Sequence, residues 1–144
     1  MIEQDTIRLL RECDSGVKMG ISSIGDVLGN IQADDLRRCL SRCLTRHEEM
    51  ADEIEQLLDR YHDSGKEPSP MAKGMSWVKT NAKLAMDPSD AAIADIMTDG
   101  CNMGVKSLHK YLNQYKAADE KSKDIAKRLI GLEEKLTADM RAFL

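Results

Sequence analysis

Apolar residues return at three- and four-residue intervals through most of this chain, the spacing that turns one side of an α-helix toward a core. Ile7, Leu10, Val17, Ile21, Ile24 and Leu28 form the first such stripe and predict a helix from about Asp5 to Gly29. Gly29-Asn30 supplies its stop, because both residue types accept the left-handed conformation that closes a helix. A second stripe runs Leu36, Leu40, Cys43, His47, Met50, Ile54, Leu57 and Tyr61, behind Asp34 and Asp35, and ends before Ser64-Gly65. Either aspartate can cap it. The short loop between the two makes them antiparallel neighbours.

Residues 64–87 break the pattern. Ser64-Gly65-Lys66-Glu67-Pro68 reads as a linker, and Ser69-Pro70 as an N-cap with proline at the first helical position. A short helix follows, with Met71, Met75, Val78 and Ala82 inward and Trp77 at its edge, and serves as a crossover. Asp87-Pro88 repeats the cap-plus-proline signal and opens a third helix, 88 to about 115, whose stripe includes Ala94, Cys101, Val105, Leu108, Leu112 and Tyr115. After a turn near Ala117, Ile125, Leu129, Leu132, Leu136, Met140 and Phe143 mark the inner face of a fourth. The pattern predicts one all-α domain, 1–144: a helical hairpin over 5–63, a long crossover over 64–87, and a second hairpin over 88–143. Two antiparallel hairpins joined by one long connection describe a four-helix bundle of ferritin-like topology.

A short motif supports the same division. Gly16-x-x-Met19-Gly20-Ile21-x-Ser23-Ile24 returns 84 residues later as Gly100-x-x-Met103-Gly104-Val105-x-Ser107-Leu108, and the same offset carries Leu28 onto Leu112, Ala33 onto Ala117 and Asp35 onto Asp119. A register shared over two helix-sized stretches predicts one hairpin used twice. Each copy sets two glycines one turn apart. Glycine inside a helix costs about 0.5–1 kcal/mol against alanine, so the pairs need a compensating gain. Close approach of the first and third helices is the expected one, as small residues one turn apart allow in membrane helix pairs; a gap kept open for a ligand or ion is the alternative.

The Asp87-Pro88-Ser89-Asp90-Ala91-Ala92-Ile93 helix start, the glycine-containing stretches inside helices one and three, and the crossover with its tryptophan carry a resemblance. Over nearly its whole length the chain resembles an uncharacterised bacterial family of ferritin-like domains. That resemblance implies a question about di-iron chemistry. Such centres take a Glu from each of two helices and a Glu-x-x-His pair from each of the other two. The three histidines stand at 47, 62 and 109, preceded at the required spacing by Leu44, Asp59 and Lys106. Asp59-x-x-His62 has the spacing but sits at the end of helix two, and helix four has no histidine. The ligand set is missing.

A softer site is the remaining metal candidate. Cys39, Cys43 and His47 follow one another at four-residue steps on helix two. Eight residues of helix rise about 12 Å, so all three cannot hold one ion. Cys43 and His47 can, with Cys101 from helix three at the same height. Thiolates with imidazole suit zinc or copper(I). Against this, cysteine packs as a small apolar residue and a buried histidine can be satisfied by one polar partner. Asp14, inward on helix one, is the expected partner of His47, or the residue that orients it behind a metal.

Composition narrows the rest. The chain has 144 residues, 42% hydrophobic but 3% aromatic, with nine methionines, so aliphatic side chains must fill a core of packed helices. A net charge of −4 gives no general field for nucleic acid. No apolar run approaches the roughly 20 residues that span a bilayer, and the acidic Met1–Asp5 start is unlike a signal peptide. A cytoplasmic location follows as the expectation, with the four cysteines as free thiols. Helix two is basic at Arg37, Arg38, Arg42 and Arg46 and acidic from Glu48 to Glu55, a solvated face braced by ion pairs or a docking surface for an oppositely polarised partner. No Ser-His-Asp set, phosphate loop or zinc-ribbon spacing occurs. The reading is a ferritin-like bundle without a di-iron site, not an enzyme, that binds or assembles: with itself as a homodimer, with another protein, or with a small apolar ligand. A metal-handling protein is the alternative, and a di-iron oxidoreductase the third reading.

Overall fold

The structure, a computed structural model, describes residues 2–68 and 89–144. They form four helices: α1 Ile2–Leu28, α2 Asp34–Asp59, α3 Asp90–Gln114 and α4 Glu120–Met140, with a last 3₁₀ turn at Arg141–Phe143. No strand occurs among the described residues. The short helix expected after Ser69-Pro70 lies outside them.

The helix starts are set by local chemistry, though not always by the expected residue. Ser89 caps α3 by accepting the Ala92 N–H at 3.2 Å, and Asp119 caps α4 by accepting the Ser122 N–H at 2.8 Å. At α2 the cap position is Ala33, with no side-chain bond. Asp34 and Asp35 fall inside the first turn, where their charge suits the helix dipole and each pairs with an arginine three residues on. The Asp90 carboxylate, from α3, takes the Gln32 and Ala33 N–H groups at 2.9 and 2.8 Å.

These contacts also fix directions. The loop between α1 and α2 lies against the start of α3. The start of α1 lies against the turn between α3 and α4, where Asp5 accepts the Ala117 N–H at 3.0 Å and Thr6 the Asp119 N–H at 2.8 Å. Helix α1 therefore runs antiparallel to α2 and α3 and alongside α4.

The core divides along the bundle axis into two clusters. One holds Leu9, Leu10, Cys13 and Val17 against Ile54, Leu58, Ile125 and Leu129. The other holds Ile24, Val27 and Leu36 against Ile93, Met97, Leu136 and Met140. Between them, at mid-height, the apolar packing is interrupted.

Candidate functional site

The interruption is polar and buried. His47 sits on the inward stripe of α2 and is 1% exposed. Its Nδ1 lies 2.8 Å from the Cys43 carbonyl oxygen one turn back, and its Nε2 2.8 Å from Oε1 of Glu133 on α4. A carbonyl accepts and a carboxylate accepts, so both ring nitrogens donate and the ring is an imidazolium. Burial alone would lower its pKa, but hydrogen bonds to Cys43 and Glu133 and their charge push it up, to about 10. The Cys43 sulfur shares the Nδ1 proton at 3.5 Å. The order Cys43–His47–Glu133 is that of a nucleophile, an imidazole and the carboxylate that orients it.

Helix α1 makes room for the ring at Gly20. A Cβ there would lie 2.7 Å from both Cδ2 and Nε2 of His47, inside any tolerable contact. Across the bundle Gly104 faces Glu133, whose Oε2 would be 3.5 Å from a Cβ. The other glycine of each pair meets little: Gly16 approaches a Leu129 methyl at 3.9 Å, and Gly100 meets none of the described residues within 4 Å.

The glycine pairs therefore do not bring α1 and α3 together. They flank a cavity of about 320 Å³ between the two helices. Ser15, Gly16, Gly20 and Ser23 of α1 form one wall, Gly100, Gly104 and Ser107 of α3 the other, and His47, Leu129 and Glu133 the floor. Met19, Met97 and Met103 line it too, and Met103 stands 67% exposed. The expectation of close packing fails because Gly16 faces Leu129 and Gly104 faces Glu133, both of α4, while His47 of α2 fills the space at Gly20.

Asp14 is buried as expected but does not partner His47. It accepts the Lys66 N–H at 3.0 Å and pairs with Lys18 at 2.8 Å, tying the chain after α2 to the side of α1. Gly65, at φ 85°, lets the backbone pass over the Asp14 carboxylate. Glu133 of α4 holds the His47 ring instead. Sequence reasoning missed Glu133, since its neighbours Glu134 and Lys135 mark a solvated stretch and no inward stripe includes it.

Cys101 is buried on α3 beside Glu133 and Thr137; burial first, then the Glu133 charge and hydrogen bond, raise its pKa. The structure thus brings Cys43 and His47 together and leaves Cys101 on the far side of the carboxylate. Among the described residues no three His, Cys, Asp or Glu side chains are grouped to hold a metal ion. A ferritin-type di-iron centre does not fit this layer either. It offers one imidazole and one carboxylate already bonded to each other, and glycines at Gly20 and Gly104. Asp59 and His62 are exposed at the end of α2, where His62 takes a positive φ of 56°. No described helix is long and apolar enough to cross a membrane. No protein-family model, curated protein or solved structure matches this chain.

Proposed function

We propose that the chain is a ferritin-like bundle built for binding, in which a small, largely apolar molecule occupies the space between α1 and α3. The observation that carries this reading is the cavity of about 320 Å³ at the break between the two core clusters, within the size range of small-molecule pockets. Both helices bear glycines along the walls of this space, a choice that forfeits helix propensity. The ferritin-like part rests on direction. Helix α2 ends at the end of the bundle opposite the start of α3, a helix direction that this topology shares.

Filling the cavity tests the reading. Gly100→Leu adds a side chain where none of the described residues stands within 4 Å, so the fold survives while the space closes. Benzene, indole and 1-octanol are titrated against protein labelled at the methionine methyls. Shifts at Met19 and Met97 that vanish in Gly100→Leu support ligand binding. Unmoved methionine signals in the native protein for all three probes overturn it. A change of sedimentation coefficient with protein concentration, unaffected by probes, points instead to self-assembly through the same groove.

A further inference from the structure

Cys43 does not line the large cavity. It lines, with Cys39, a separate notch of about 30 Å³ between α2 and α4, ringed by Arg42, Arg46 and Lys135 with Asp139 beside them. That volume is the share of roughly one water molecule. Behind the thiol stands the His47 imidazolium, Nδ1 3.5 Å from Sγ, anchored on its other nitrogen by Glu133.

The four cysteines divide by the sign of what faces them. Cys13 is flanked by Glu12 and Asp14, and burial together with those charges pushes its pKa up to about 12. Cys39 donates to Asp139 at 3.7 Å; burial and that carboxylate raise its pKa too. Cys101 lies against Glu133. Each of these three keeps its proton. Cys43 alone touches an imidazolium; the two arginines and the lysine of the notch are shared with Cys39, whose proton is held by Asp139. A thiolate, not a thiol, is the nucleophile, and neighbouring cations favour it.

We propose that Cys43 is the reactive thiol of this protein, a nucleophile set against His47 and Glu133 that hydrogen peroxide oxidises through the notch between α2 and α4. The Cys43 thiolate attacks one peroxide oxygen; an S–O bond forms as the O–O bond breaks. Sulfur gives up two electrons, the peroxide accepts them, and Cys43 becomes a sulfenic acid. Hydroxide departs toward Arg42 and Arg46 and is protonated to water by solvent. The reaction needs no space larger than the notch, and a bulky peroxide does not fit it. His47 acts here as a positioning residue, its ring nitrogen 3.5 Å from the sulfur.

The test is site-resolved oxidation of the native, reduced protein. Substoichiometric hydrogen peroxide is added, the reaction is stopped with catalase, the protein is unfolded in dimedone, which traps sulfenic acid, and each cysteine peptide is followed by mass spectrometry. Cys43 is expected to be labelled before Cys13, Cys39 and Cys101, and cumene hydroperoxide to label it far more slowly. His47→Gln should slow labelling by roughly tenfold or more through loss of the cationic ring beside the sulfur. The double variant Arg42→Gln/Arg46→Gln, which changes exposed side chains and leaves the core alone, should slow it severalfold, so a failure of His47→Gln to fold does not decide the matter. Labelling of all four cysteines together, faster labelling of any other cysteine, equal rates for the two peroxides, or an unchanged rate in the folded arginine variant overturns the proposal.

Discussion

His47 is held at both ring nitrogens by groups that can only accept, and that makes its proton part of the fold. A buried ion pair gains little over apolar packing, but stranding one member of it is costly. The pKa of the ring is raised from 6.5 to about 10, so the sign of its linkage is fixed. Stability from this proton is present in full below pH 6.5 and is lost as pH rises through about 10. The native protein should therefore lose melting temperature across this range faster than His47→Gln, whose amide does not titrate. Thermal unfolding at several pH values between 6 and 10 checks this. A constant gap between native protein and variant would mean that the ring does not lose a proton in this range and that the linkage is absent.

At the scale of elements, the two glycine pairs look equivalent along the chain and are not equivalent in the bundle. Gly20→Ala places a methyl into the His47 ring at 2.7 Å. The ring is bonded at both nitrogens and cannot swing away without breaking a bond, so the change should destabilise by about 1–3 kcal/mol as overpacking does. Gly100→Ala meets none of the described residues within 4 Å and should stabilise by about 0.5–1 kcal/mol through helix propensity alone. Urea midpoints measure both, and equal effects would show that the repeat has equal surroundings after all. The contrast marks what sequence periodicity can carry. Stripes such as Leu36–Leu40–Cys43–His47 placed the helices and put His47 inside, since period and burial follow from the helix itself. Which residue faces His47 depends on how α4 is rotated and how far it slides. Glu133 falls between Leu132 and Leu136 on the edge of the apolar stripe, where a small rotation decides between solvent and core. The cavity was less legible still, because an absent side chain has the same one-letter signature whether backbones meet there or a space is left.

Across the whole molecule, the hairpins are fastened at their ends and parted in the middle. At one end Asp90 collects the Gln32 and Ala33 N–H groups; at the other Asp5 and Thr6 collect those of Ala117 and Asp119. Each apolar cluster sits next to one of these fastenings, so the layer of His47, Glu133 and the glycines is free to stay open without loosening the bundle. Asp90 has a double role, since its charge also lies in the first turn of α3, where an anion is favoured. Replacing it with alanine removes two charge-assisted bonds from the α1–α2 loop, each worth about 1.5–3 kcal/mol when made to a charged group, reduced here by partial exposure. Asp90→Ala should therefore speed amide hydrogen exchange at Gln32, Ala33 and the first turn of α2, while amides near Ile54 and Ile125 in the other cluster keep their protection. If exchange instead rises evenly through both clusters, the bundle opens as one unit and the end fastenings are not separate supports. In that case the open middle layer depends on both ends at once, and a ligand seated between α1 and α3 would be felt equally at each of them.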